Sequence, residues 1–204
     1  MVIEPLSTAL IERVTAGELV VYPTTTLPAL GCIPSSEALD TLFSVKGRDA
    51  ANVVSLGVAS ITQASSIVNI PNDAKELFGS FPRGALTLVL PAKHTLDSRL
   101  GGDNVAIRLL AHPDAIALTD SVGPLTATSA NLSGIAPEVD CRLAATALGL
   151  EDAAALAGVC AGGMPSTLIA LNESGGSDIE RRWTVLRAGI VPKNEVNDWL
   201  KKRI

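Results

Sequence analysis

The feature that most narrows the fold is an alternation. Short aliphatic runs, several closed by proline or opening into a hydroxyl-rich loop, trade places along the chain with segments of helical spacing. Glu18–Tyr22 (ELVVY) ends at Pro23 and Leu86–Leu90 (LTLVL) ends at Pro91. Val53–Val58, Val105–Leu109 (VAIRL), Leu125–Thr128, Thr167–Leu171 and Trp183–Leu186 are further apolar runs. Runs this short, rich in Val, Ile and Leu and bounded by turn residues, read as buried strands. Between them, Thr8–Ala16 places Leu10, Ile11 and Val14 on one face, with Ser7 where a cap belongs. Ser36–Val45 behind Ser35 or Ser36, Ile61–Val68, Asn72–Phe78 after Pro71, His112–Ser121, Arg142–Leu148 and Val196–Arg203 supply the other helices. Strands and helices joined by short connections predict an α/β protein: a single-domain, twisted, open mixed sheet with flanking helices.

Composition agrees with that layout. A chain of 204 residues suits one domain over 1–204, with its core over about 8–190 and a short C-terminal helix after it. Hydrophobic residues make up 47% of the chain but aromatics only 3%, so the core is aliphatic, as buried strands require. The mean hydropathy of +0.35 raises the question of a membrane span. The most apolar stretch, Ala144–Met164, is broken by Glu151, Asp152 and glycines, and no uncharged apolar run reaches the roughly 20 residues a span needs. The N-terminal segment carries Glu4 and Glu12 in place of a basic region followed by an apolar one. A cytoplasmic location with no membrane partner is therefore expected. The net charge of −5 argues against a surface coated in positive charge for nucleic acid, though a local basic groove stays open. Cys32, Cys141 and Cys160 form no CxxC pair and read as small buried thiols, and two histidines are too few for a histidine-based metal site. No protein-ligated metal is expected. Glu173–Asp178 (ESGGSD) reads as a loop.

The familiar nucleotide and hydrolase signatures GxxxxGK[ST], GxGxxG, GxSxG and HExxH are absent. Tyr22-Pro23-Thr24-Thr25-Thr26 follows a strand directly, and an open α/β sheet places ligands at the carboxyl ends of its strands. The same residues also suit an ordinary capped turn. Lys46-Gly47-Arg48 sets two cations about a glycine at a helix end, a pairing that suits polyphosphate and equally suits a glycine C-cap with dipole-complementing charge. Thr126–Gly134 (TATSANLSG) offers small polar residues whose backbone N–H groups can cradle an anion, or a plain Ser/Asn/Gly turn. Arg108 is unusual, because a strand position among Ile107, Leu109 and Leu110 holds a charge only if it is paired or faces a cleft. Arg187, after a late strand, raises the same question.

Together these segments resemble the YrdC-like threonylcarbamoyl-AMP synthases. The matching order is YPT (Tyr22–Thr24), KxR (Lys46, Arg48), LTLVLP (Leu86–Pro91), VAIR (Val105–Arg108), HP (His112, Pro113), TSANLSG (Thr128–Gly134), PST (Pro165–Thr167) and LRAG (Leu186–Gly189). Each piece is weak, and their joint order from Tyr22 to Gly189 is specific. The resemblance implies a sheet curling around a cationic groove, with ATP, L-threonine and bicarbonate as substrates and Mg2+ accompanying the ATP. The implied products are threonylcarbamoyl-AMP and pyrophosphate. A separate threonylcarbamoyl transferase complex would then carry the group to tRNA as threonylcarbamoyladenosine. Carried over residue by residue, Thr24, Arg108 and Ser166 would meet threonine or bicarbonate. Lys46 and Arg48 would face the triphosphate and serve the chemistry, with Ser129, Asn131 and Arg187 at the nucleotide. The chain departs from the family's usual pattern at Thr25, Pro28 and Ala29, after Arg48 at Asp49 and Asn52–Val54, and over Pro82–Thr87. The competing reading is a diverged YciO-type paralogue that binds nucleotide, tRNA or double-stranded RNA in the same groove without synthase chemistry.

Overall fold

The computed structural model describes residues 6–172 and 182–202; the loop expected over Glu173–Asp178 lies outside them. In chain order the elements are α1 (Thr8–Thr15), β1 (Val20–Tyr22), β2 (Ala29–Gly31), α2 (Ser36–Lys46), β3 (Leu56–Val58), α3 (Ile61–Ser65) and α4 (Asn72–Ser80). There follow β4 (Leu86–Pro91), β5 (Asn104–Leu109), α5 (Pro113–Val122), β6 (Leu125–Thr126), β7 (Thr128–Ser129), α6 (Cys141–Ala147), β8 (Thr167–Leu171), β9 (Trp183–Arg187) and α7 (Lys193–Lys201). Short 3-10 turns occupy Ser98–Leu100 and Asp152–Ala154.

The mixed sheet is present, and among the described residues it has six strands in the order β6-β3-β5-β4-β8-β9. The β3·β5 and β4·β8 pairs are parallel, and β3·β6, β4·β5 and β8·β9 are antiparallel. A second, antiparallel sheet, β1-β2-β7, stands beside it. The run read as one strand, Leu125–Thr128, is split between the two. Thr126 pairs with Leu56 in the large sheet, while Thr128 pairs with Leu30 in the small one. Between them Ala127 donates its N–H to the Ser55 carbonyl, and the Ser55 hydroxyl donates back to the Ala127 carbonyl at 2.9 Å. The chain turns the corner there without losing a backbone partner. Strand β2 was hidden in the sequence behind Pro28 and Gly31. Gly31 is required because a Cβ there would sit 2.6 Å from Tyr22 Cε1 and 3.1 Å from the Thr126 carbonyl oxygen.

The period of two along β5 decides which face of the large sheet is core. Val105, Ile107 and Leu109 share one face with Leu88 and Leu90 of β4 and Ile169 of β8, all buried in the main aliphatic cluster. Each such side chain contributes about 1.5–3 kcal/mol through burial. Asn104, Ala106 and Arg108 therefore point to the other face. That places a charged residue inside an apolar strand without burying it in the core. A smaller cluster, including Leu10, Val14, Tyr22, Leu110 and Leu118, ties α1 and α5 to the small sheet.

Caps follow the sequence signals. Ser7 accepts from the Leu10 N–H and Ser35 from the Ala38 N–H. Helix α2 ends with Gly47 at φ 56°, where its N–H reaches the Ser44 carbonyl and the Arg48 N–H reaches the Phe43 carbonyl. That pair of bonds is a Schellman closure. Glycine at this left-handed position lets the chain reverse between Lys46 and Arg48, so the helix cap and the cationic pair are the same feature. Among the described residues no helix is long and apolar enough to cross a membrane.

Candidate active site

The free face of the large sheet floors a groove of about 580 Å³. Thr87 and Val89 of β4, Ala106 and Arg108 of β5 and Leu168 of β8 lie along the floor. Leu27, Ala29 and Ser129 of the small sheet and its loop, Arg48, Asn131, Ser166 and Arg187 stand around it. Among the described residues no Asp or Glu lines it.

Arg108 is 6% exposed. Its Nε donates to the Gly84 carbonyl at 2.9 Å, and its Nη2 reaches Thr26 Oγ1 at 2.9 Å and Thr25 Oγ1 at 3.4 Å. All three acceptors are neutral, and no carboxylate pairs with it among the described residues. Burial lowers its affinity for a proton, and the nearby Arg187 adds to the effect. An arginine held this way is a charge awaiting an anion: its orientation is fixed, its Nη1 meets no acceptor among the described residues, and its neutralisation is incomplete.

Lys46 is 2% exposed at the end of α2. Its ammonium donates to the Asn131 carbonyl at 2.6 Å and to the Ser129 carbonyl, which leaves one of its three protons unassigned. Burial first, and the Arg48 charge second, lower its pKa to about 8. In return the Lys46 carbonyl accepts from the Ser133 N–H. Residues more than eighty positions apart thus form one unit. Ser129 Oγ donates to the Asn131 side-chain oxygen, and Asn131 Nδ2 donates to the Leu132 and Ile135 carbonyls at 2.8 and 2.6 Å. Arg48 donates to the Asn52 and Val53 carbonyls at 2.7 and 3.0 Å. Arg187 Nη2 donates to the Ser166 carbonyl at 3.0 Å. Burial, and for Arg48 also the charge of Arg187, lower the proton affinity of both arginines. The cations are close enough to repel one another, which an incoming polyanion would relieve.

Of the residues singled out in the sequence, Arg48, Arg108, Ser129, Asn131, Ser166 and Arg187 line this one groove. Lys46 meets it through Ser129 and Asn131. Thr24 stands apart. Its hydroxyl donates to the Leu27 carbonyl at 2.7 Å and accepts from the Thr26 N–H at 3.2 Å, so it shapes the loop. The contacts with Arg108 fall to its neighbours, Thr26 at 2.9 Å and Thr25 at 3.4 Å. Cys160 accepts from the Thr24 N–H at 3.3 Å, and its thiol pKa is lowered, chiefly by the neighbouring Cys141 thiol. In the sequence Thr26 stands only as part of the hydroxyl-rich loop Tyr22–Thr26 and Thr87 only as part of LTLVLP; neither is given a site role there. The alternation in LTLVL puts Thr87 opposite the core-facing Leu88, but only the β4·β5 register shows that it lies beside Arg108.

Among the described residues no three His, Cys, Asp or Glu side chains gather as a metal site. The oxygen donors at the groove are neutral hydroxyls and amides, so a Mg2+ ion fits here only if phosphate oxygens supply its charged ligands. A second hollow of about 630 Å³ is bordered by Lys93 and by Arg182, which pairs with Asp73 at 3.1 Å; it gathers none of the residues above.

The family model Sua5/YciO/YrdC, described as "Telomere recombination", matches residues 12–189. The threonylcarbamoyl-AMP synthase of Bacillus subtilis is 40% identical over 124 residues, 58% of this chain and 36% of that protein. The threonylcarbamoyl-AMP synthase of Aliivibrio fischeri is 33% identical over 149 residues, 67% of this chain and 80% of that protein. The crystal structure of Pyrococcus abyssi Sua5 complexed with L-threonine superposes with a TM-score of 0.79 at 30% identity, covering 93% of this chain and 56% of that one. Escherichia coli YciO, at 24% identity and a TM-score of 0.73, shares the fold. Against the first relatives by similarity the chain spans less than two thirds of their length: 66% of a Mycobacterium tuberculosis protein and 36% of the Bacillus one. With the fold, the cationic groove and the matched span in agreement, this chain belongs to the Sua5/YciO/YrdC family.

Proposed function

We propose that the chain is an L-threonylcarbamoyladenylate synthase, making threonylcarbamoyl-AMP and pyrophosphate from ATP, L-threonine and bicarbonate. The observation that carries this reading is the convergence of Arg48, Arg108 and Arg187 on one groove, with Lys46 bonded to its Ser129 and Asn131 wall and no carboxylate lining it among the described residues. Two anionic ligands answer that charge. Arg108, with Ser166 beside it, would take the amino-acid carboxylate, and Lys46 and Arg48 the triphosphate. Ser129, Asn131 and Arg187 would complete the nucleotide's surroundings.

The chemistry needs little from a protein nucleophile. The threonine amine and bicarbonate condense to a carbamate with loss of water. A carbamate oxygen then attacks the α-phosphorus as the bond to the β-phosphate oxygen breaks, and pyrophosphate departs. Holding the two anions in line and spreading the charge that moves to the leaving group are the tasks left to the chain. Lys46 suits the second. Burial and the Arg48 charge loosen its hold on its proton, and a triphosphate beside it would strengthen that hold. Mg2+, carried on the phosphates, would neutralise further charge there. The product would pass to a separate threonylcarbamoyl transferase complex and on to tRNA.

The test is product identity. Incubation with ATP, Mg2+, L-threonine and isotopically labelled bicarbonate should yield threonylcarbamoyl-AMP carrying the label by mass spectrometry. Absence of that product from folded protein that binds both ATP and threonine would refute the reading.

A further inference from the structure

Next to Arg108 lies a buried pair of hydroxyls. Thr87 Oγ1 and Ser166 Oγ are 2.7 Å apart, and the residues are 3% and 6% exposed. Thr87 stands in register with Arg108 across β4·β5 and with Leu168 across β4·β8, so its side chain shares the groove face with the guanidinium. Neither hydroxyl has another partner among the described residues. Two hydroxyls hold two protons; one is spent between them, and one remains for the groove.

We infer that Thr87 is a positioning residue, which fixes the Ser166 hydroxyl so that the pair delivers its remaining O–H to a small carboxylate seated on Arg108. A lone serine hydroxyl turns among three staggered positions. Bonded to Thr87 it is held, and the donor is set before the ligand arrives, which removes an ordering cost from binding. The backbone is braced as well, since the Ser166 carbonyl accepts from Arg187 and the Thr167 hydroxyl donates to the Val191 carbonyl. Ser166 therefore sits on a fixed base with one free rotation, and Thr87 removes it. This inference rests on the proposed seating of an amino-acid carboxylate at Arg108.

The test is a double-mutant cycle read by calorimetric titration with L-threonine, and separately with Mg-ATP. The proteins are wild type, Thr87→Val, Ser166→Ala and the double variant. Thr87→Val should weaken threonine binding by about tenfold and leave ATP binding within about twofold, and Thr87→Ser should restore most of the loss. Because Thr87 acts through Ser166, the double variant should bind threonine no worse than Ser166→Ala alone. Additive losses, or an equal loss of ATP binding in Thr87→Val, would overturn the inference. Wild-type protein that binds no threonine would overturn the reading beneath it, and the inference with it.

Discussion

Replacing Arg108 by Met should separate ligand binding from folding in an uncommon direction. The substitution keeps an unbranched apolar stem and removes a guanidinium that is 6% exposed and has no carboxylate partner among the described residues. Its three contacts, to the Gly84 carbonyl and the Thr25 and Thr26 hydroxyls, are all to neutral acceptors. The apoprotein thus loses hydrogen bonds to a charged group, worth about 1.5–3 kcal/mol each at good geometry, and also sheds the several kcal/mol cost of a buried, uncompensated charge. These terms oppose each other, so the melting temperature should move by no more than a few degrees. The ligand meets a different balance. A carboxylate on the guanidinium makes charge-assisted bonds worth about 1.5–3 kcal/mol each, and Met supplies none. A loss of about 3 kcal/mol corresponds to roughly a hundredfold in threonine affinity, with Mg-ATP affinity nearly unchanged. Thermal unfolding and titration with each ligand measure the three quantities. A collapse of stability, or equal losses for threonine and ATP, would show that Arg108 serves the scaffold.

Three further outcomes follow from α2 and its cap. Lys46 has its pKa lowered from the ordinary 10.5 to about 8, so between those values the unfolded chain keeps a proton that the native one releases. Stability should therefore rise with pH across that window, and the cost of burying the charge is fully present below it. Nucleotide affinity should run the other way, falling by up to about tenfold per unit as pH passes above about 8; Lys46→Arg should abolish the inflection, and a flat profile in wild type would contradict the triphosphate role. Gly47→Ala forces a side chain into φ 56°, and although no atom lies within 4 Å of the new Cβ, it should destabilise by about 1 kcal/mol and weaken nucleotide binding by displacing Arg48. Chemical denaturation and ATP titration check both parts.

Much of this architecture was legible in residues, and the rest depended on pairing. The apolar runs and capped helices appear within a few residues of where periodicity puts them, because burial and capping are local demands. Strand β2 escaped because three residues next to Pro28 carry almost no periodic signal. Leu125–Thr128 read as one strand because nothing local announces that Ala127 is a corner between sheets. At the site, Lys46, Arg48 and Arg108 stood out through charge in unusual places. Thr87 stayed silent, since a threonine in a strand is ordinary and its worth lies in its register with Arg108. Thr24 and Thr26 could not be told apart in a run of three threonines until the loop assigned one hydroxyl to the Leu27 carbonyl and the other to the guanidinium.

The most direct test of the central claim is ATP-dependent pyrophosphate release, measured with and without L-threonine and bicarbonate, in wild type and in Lys46→Ala. Release that needs both small substrates and disappears in the folded variant is the predicted result. Release indifferent to threonine, or unchanged without Lys46, would contradict the account.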